Sequence, residues 1–367
     1  MSHINLLIKP ASSNCNLRCG YCFYHDEAAN RSVRSYGYMK DETIEAIVKK
    51  SLAYATESCT FGFQGGEPTL AGLNFFRKVV ALQKEYNTKN LAINNSIQTN
   101  GTLLDDSWAA FLAENKFLVG VSLDGHESLH NLYRRDAQDE GTFARVMQGI
   151  EALKRHNVEF NVLTVVTAQT AKHAKDVYAF FMRHGLVYQQ YIPCMDPIGE
   201  DWGKQRYSLT PELYAKFLKN LFDVWYADRK KGIFVYNRYF ENLAAILLGC
   251  RTESCDMKGI CSVQYVFEAD GGVYPCDFYM LDDYRIGNIN TDSMEEIDRN
   301  RESIGFIQQS AVLPEACQNC RWVRICRNGC RRNRIVTDAG NPGLNYFCKA
   351  YQEVYPYILP RMQELLR

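Results

Sequence analysis

The sequence has no long apolar run. Nowhere do about 18 apolar residues follow one another, the length needed to cross a bilayer as a helix, so no membrane span is expected. The opening stretch MSHINLLIKPASSNC lacks the charged start and long apolar core of a secretory signal, which points to a cytoplasmic chain. Net charge is absent too. Lys and Arg number 42 and Asp and Glu number 42, so global charge gives no ground for a nucleic-acid or acidic-membrane partner. There are no repeats or low-complexity tracts, which excludes a solenoid or a disordered tail. What is plentiful is cysteine, with 14 in 367 residues. In a chain without a signal these thiols are expected to be reduced, and metal binding is the leading reason to hold so many.

Most of the cysteines fall in dense groups. Cys15, Cys19 and Cys22 come first, then Cys255, Cys261 and Cys276, then Cys317, Cys320, Cys326, Cys330 and Cys348. Cys59, Cys194 and Cys250 stand apart and are expected to be plain buried thiols.

Up to about residue 235, strand-like and helix-like patterns alternate. Strands are expected at 4–10, 59–63, 91–99, 117–124, 158–166 and 187–192. Between them run amphipathic segments; the one beginning KDETIEAIV has Asp41 as its expected cap. β–α units in series imply a parallel sheet, and six of them fit a partial (β/α)6 barrel of the TIM type. In such folds chemistry gathers on the loops after the strands. Here those loops read SSNCNLRCGYC, QGGEPTL, QTNGTLLDD, DGHESLHNLYRRD and PCMDPIGE. A long helix is expected from Pro211, capped by Thr210. Past 236 the pattern stops, and a β-hairpin turning at Asp270, Gly271 and Gly272 is expected among the cysteines. The chain thus divides into 1–235 and a smaller cysteine-rich domain at 236–367.

The spacing C-x3-C-x2-C of Cys15, Cys19 and Cys22 offers three thiolates. Three thiolates can hold three corners of a 4Fe–4S cluster and leave the fourth iron open for a small ligand. A zinc site that borrows a distant fourth ligand is the alternative. The loop Gly65–Gly66–Glu67–Pro68 follows the second strand; its glycines let backbone approach a ligand, and Glu67 could accept from an ammonium. Ser122 ends the fourth strand, and Arg134 lies just beyond, either a carboxylate partner or one half of a surface ion pair. Asp277 directly follows Cys276 and reads either as a general base or as a polar residue leaving a hairpin. The basic run RWVRICRNGCRRNR (321–334) is read as charge that offsets an anionic cluster rather than as a nucleic-acid patch.

The cysteine loop, with Tyr21 before its last cysteine, resembles the radical S-adenosylmethionine (SAM) superfamily. The closing cysteine string resembles the SPASM domain, an extension that carries auxiliary clusters. End to end, the stretches LLIKPASSNCNLRCGYCFYH, FGFQGGEPTL, VSLDG and CDMKGICSVQYVFEADGGVYPCDFYM resemble the anaerobic sulfatase-maturating enzymes. That resemblance implies three 4Fe–4S clusters and SAM. Cys15, Cys19 and Cys22 would hold the cluster that binds SAM. Cys255, Cys261, Cys276 and Cys330 would hold one auxiliary cluster, and Cys317, Cys320, Cys326 and Cys348 the other; paired zinc sites are the alternative there. Tyr21, Gly66, Glu67, Ser122 and Arg134 would contact SAM, Tyr24, Gln64 and Gln98 the peptide, and Asp277 would be the catalytic base. The implied reaction oxidises a cysteine or serine of a sulfatase to Cα-formylglycine. Its partners would be an unfolded or nascent sulfatase peptide and a flavodoxin- or ferredoxin-type electron donor, with no nucleic acid, and the enzyme would act as a monomer. The close rival is a SPASM enzyme that modifies a ribosomally made peptide. Many of those carry a leader-binding domain before the barrel, for which the first strand, beginning near residue 4, leaves no room.

Overall fold

In the computed structural model, residues 1–336 and 342–366 are described, and they pack as two units. The first comprises Met1–Ser122, Asn131–Phe160 and Val263–Gly305; the second comprises Leu123–His130, Asn161–Ser262 and Phe306–Arg367. Both units draw on chain from either side of residue 235.

In the first unit, β1 (His3–Ile8), β2 (Ser58–Phe63), β3 (Ala92–Thr99) and β4 (Leu118–Ser122) form parallel neighbours. Alternation sets their faces: Ile4, Leu6 and Ile8 of β1 are buried, and His3 and Asn5 are not. The connections carry α1 (Phe23–Ala29), α2 (Asp41–Tyr54), α3 (Leu73–Tyr86) and α4 (Asp106–Glu114). Asp41 is not the cap expected of it. Lys40 takes that position and Asp41 is the first helical residue, where its charge still favours the positive helix end. Asp105 does cap α4, accepting from the Trp108 N–H at 2.9 Å. The core is aromatic: the rings of Phe63 and Phe76 sit edge to face at 5.0 Å, and those of Phe76 and Trp108 at 5.3 Å.

The expected hairpin is present as β8 (Tyr265–Phe267) and β9 (Gly272–Tyr274), paired antiparallel with Val266 opposite Tyr274. Its location is new. β8 lies parallel to β1, Leu6 opposite Tyr265, and a short β10 (Gly287–Asn288) follows on β9. The hairpin therefore extends the first unit's sheet on the β1 side, and brings the residues after β9 to the loop after β1.

In the second unit, β5 (Phe160–Val166), β6 (Tyr188–Pro193) and β7 (Tyr236–Asn237) run parallel. The helix Pro211–Lys230 starts as expected, the Thr210 hydroxyl accepting from the Leu213 N–H at 3.3 Å. It packs on the helix Cys348–Leu365 through the Tyr214 and Phe347 rings at 4.8 Å and the Arg361–Asp223 ion pair at 2.9 Å. Cys59 and Cys194 are buried as expected, but Cys250 is exposed, in the loop after the helix Arg238–Leu247. No helix among the described residues is long and apolar enough to cross a membrane.

Candidate active site

The loop from β1 to α1 carries the first three cysteines, none in a disulfide and all partly exposed. The Leu17 N–H donates to Cys15 Sγ at 3.3 Å. Burial pushes the Cys15 thiol up to about 11, and the Glu67 carboxylate and Cys22 add to the rise. Cys22 is the residue before the first turn of α1. Burial raises its thiol too, opposed by the backbone N–H groups of His25 and Tyr24 and by the charges of Arg134 and Lys9. Without metal, burial favours the neutral thiol at Cys15 and Cys22. An iron cluster would draw them down as thiolates, and the backbone donors and cations already in place suit that charge. Around Cys15, Asn100 donates to Asn16 at 2.8 Å and Asn16 to Thr102 at 2.9 Å, a brace that the sequence reading missed.

The GGEP loop follows β2. The Gly66 N–H donates to Ser12 O and the Glu67 N–H to Asn14 O, each at 2.8 Å. A Cβ on Gly66 would lie 2.0 Å from the Asn14 carbonyl oxygen, so only glycine fits against the cysteine loop. Glu67 is the next residue of the loop. Its buried carboxylate accepts from the Thr69 N–H and hydroxyl, the Thr99 hydroxyl and the Asn100 N–H at 2.6–3.0 Å. Three of those donors meet Oε1 and the Asn100 N–H meets Oε2, so the side chain organises the loop while Oε2 keeps an acceptor position.

Ser122 ends β4, and its hydroxyl accepts from Gln98 Nε2 at 3.2 Å. Gly120 makes this possible, since a Cβ there would sit 2.1 Å from Gln98 Oε1. Arg134 is buried rather than on the surface, and its guanidinium lies 5.5 Å from the centroid of the Tyr21 ring. Tyr21 and Arg134 are thus brought together.

Asp277 is 8% exposed, just after β9. Its Oδ2 accepts from the Tyr24 hydroxyl at 2.6 Å and from Gln64 Nε2 at 3.2 Å. Burial and the facing carboxylate hold the Tyr24 phenol well above its ordinary value, so it stays a donor. Oδ1 faces Lys9 Nζ at 3.4 Å, an ion pair absent from the sequence reading. Tyr24, Gln64 and Asp277 thus form one cluster, while Gln98 is held with Ser122.

Cys276 lies in the first unit, while Cys255, Cys261, Cys317, Cys320, Cys326, Cys330 and Cys348 lie in the second and sort into two sets. The Cys317 thiol feels Cys348 and Cys320, the Cys348 thiol feels Cys320, and burial, with Cys348, Cys317 and Cys320 adding to it, pushes Cys326 up to about 11. Separately, Cys330 feels Cys255 and Cys261, and burial pushes it to about 12. No three His, Cys, Asp or Glu side chains among the described residues close in on a single metal ion. Within the basic run, Arg331 and Arg334 are buried and donate to the carbonyls of Phe306 and Ser310. They brace backbone beside the cysteines, while Arg321 and Arg324 are exposed.

A partial α/β barrel with this cysteine loop and a cysteine-rich extension defines a radical SAM enzyme with a SPASM region. Residues 10–181 match the Radical SAM superfamily, and residues 259–321 match the iron–sulfur cluster-binding domain SPASM. The cysteine-type anaerobic sulfatase-maturating enzyme of Clostridium perfringens is 50% identical over 99% of this chain and 98% of its own. The serine-type enzyme of Bacteroides thetaiotaomicron is 33% identical over 97% of this chain and 90% of its own. A solved structure of native anSMEcpe with bound AdoMet and Kp18Cys peptide superposes with a TM-score of 0.94, at 50% identity over 99% of each chain. The chain belongs to the anaerobic sulfatase-maturating enzymes.

Proposed function

We propose that this enzyme oxidises a cysteine of a sulfatase peptide to Cα-formylglycine, with Asp277 as the base. The observation that carries the reading is the Asp277 cluster: a buried carboxylate, reached by Gln64 and by Tyr24 of the helix that directly follows the cysteine loop. The cysteine preference rests on the greater identity to cysteine-type relatives, 50% against 33% for a serine-type one. When bound, the clusters and SAM supply the radical that removes a hydrogen atom from the target β-carbon, and the acceptor for the electron left behind. The chain's residues do the rest. The three thiols Cys15, Cys19 and Cys22 hold the SAM-binding cluster, and the eight C-terminal cysteines hold two more. Gly66, Glu67, Ser122, Tyr21 and Arg134 form the SAM contacts, the guanidinium suiting a carboxylate. Gln98, Gln64 and Tyr24 orient the peptide, since amides pair with backbone of any sequence. Asp277 takes the thiol proton. Loss of one hydrogen atom, one proton and one electron leaves a thioaldehyde, which water converts to the aldehyde with release of hydrogen sulfide.

The substrate would be an unfolded or nascent sulfatase in the cytoplasm, and the reductant a flavodoxin- or ferredoxin-type protein. Matched peptides with cysteine or serine at the target position test the preference. The cysteine peptide should have the higher kcat/KM. Turnover of the serine peptide alone would overturn it.

A further inference from the structure

Lys9 directly follows β1, in the otherwise apolar stretch INLLIKP, and is 3% exposed. An ammonium taken out of water persists only where anions meet it. Here its Nζ lies 3.4 Å from Asp277 Oδ1, 3.9 Å from Glu27 Oε2 and 4.1 Å from the centroid of the Tyr24 ring. The lysine is held at both ends. Its backbone N–H donates to Phe267 O at 2.9 Å, tying it to the strand that leads into the hairpin before Asp277. Its stem passes Gly65, whose φ is +114° and where a Cβ would lie 2.8 Å from Lys9 Cγ. The first glycine of the GGEP loop therefore leaves the slot through which this side chain reaches the carboxylate.

The contacts divide Asp277 into two halves. Lys9 holds Oδ1, and Tyr24 and Gln64 meet Oδ2. A carboxylate free to rotate about its Cβ–Cγ bond would present either oxygen in many directions. The same ammonium also sits against the face of the ring whose hydroxyl donates to Oδ2, so the base and its tyrosine neighbour are registered by one cation.

We propose that Lys9 is a positioning residue for proton removal: it pins Asp277 Oδ1 and so turns Oδ2 toward Tyr24 and Gln64, where the peptide's reacting group is received. This rests on the reading of Asp277 as the base. Misplacing a reacting group by about 1 Å can cost about 100-fold, so loss of the pin lowers product formation without removing the base itself.

The test uses Lys9→Met, Lys9→Arg and Asp277→Asn as reconstituted anaerobic holoenzymes with SAM, reductant and a cysteine peptide. Lys9→Met keeps the stem and removes the charge. It is expected to keep its iron and the KM for the peptide, to go on forming 5′-deoxyadenosine, and to yield about 10- to 100-fold less formylglycine per 5′-deoxyadenosine. Lys9→Arg restores the charge at a different reach and should recover part of that ratio. A residue that only packs would leave the ratio unmoved. A wild-type ratio in Lys9→Met overturns the proposal; if Lys9→Met loses its iron, the neutral polar variant Lys9→Gln is read in its place, and a wild-type ratio there does so instead. Loss of iron in both makes Lys9 a folding residue and also overturns it. Normal product from Asp277→Asn would sink the base reading and this inference together. Product lost in Asp277→Asn and normal in Lys9→Met would sink this inference alone.

Discussion

Asp277→Asn keeps the shape of the side chain and removes its ability to take a proton at neutral pH. The wild-type carboxylate faces the Lys9 ammonium at 3.4 Å from Oδ1 as an ion pair, and accepts on Oδ2 from Tyr24 at 2.6 Å and Gln64 at 3.2 Å. An amide has one oxygen, so its NH2 must face a donor at one end. That mismatch costs about 1–3 kcal/mol locally, against a typical total stability of about 5–15 kcal/mol, so the fold should stand. No cluster ligand changes and no SAM contact changes, so iron content, SAM binding and SAM cleavage should persist. Losing a positioned base costs about 100-fold or more, equivalent to about 2.7 kcal/mol or more on the barrier. The assay is formylglycine formed per 5′-deoxyadenosine, read by mass spectrometry under anaerobic conditions. With deuterium on the target β-carbon, transfer to 5′-deoxyadenosine shows whether hydrogen abstraction precedes deprotonation. Near-normal product with intact clusters would refute the reasoning, and Asp277 would be a polar residue at a hairpin's end.

Replacing Cys15, Cys19 and Cys22 together with Ala should lower iron from about twelve to about eight per chain; a folded variant with no iron would deny independent clusters. Arg134→Ala should weaken SAM binding, measured by equilibrium dialysis, and unchanged affinity would remove Arg134 from that site. Gly66→Ala forces a Cβ to within 2.0 Å of the Asn14 carbonyl, so the cysteine loop must shift; overpacking of this kind costs about 1–3 kcal/mol, visible as a lower melting temperature with weaker SAM binding. Burial pushes the Cys59 thiol up to about 12, so it stays neutral at pH 8 and should resist iodoacetamide in the holoenzyme, whereas exposed Cys250 should be alkylated.

The six strands of the alternating region were legible because each is a short apolar or alternating run bounded by loop residues, and β1 to β6 fall where that pattern lies. The partner of the hairpin was not. Nothing in YVFEADGGVY says that β8 will lie along β1, since that pairing joins residues far apart in sequence. For the same reason the Asp277 cluster could be listed by resemblance but not assembled: Tyr24, Gln64 and Asp277 come from three separate segments. Lys9 was invisible because a lysine at a strand's end reads as surface, and what buries it comes from distant segments: the hairpin, the GGEP loop, and Tyr24 and Glu27 of α1. The bracing of the loop by Glu67 was not legible, because its donors Thr99 and Asn100 come from the end of β3, which local spacing does not reveal.

The central claim is that this chain forms formylglycine by taking a hydrogen from the β-carbon of a peptide cysteine. Anaerobic incubation with SAM, reductant and a sulfatase-type peptide bearing a β-deuterated cysteine tests it in one measurement, by mass analysis of both products. An aldehyde residue at the target position and deuterium in 5′-deoxyadenosine is the predicted result. SAM cleaved with the cysteine unchanged, or a thioether in place of the aldehyde, would contradict it.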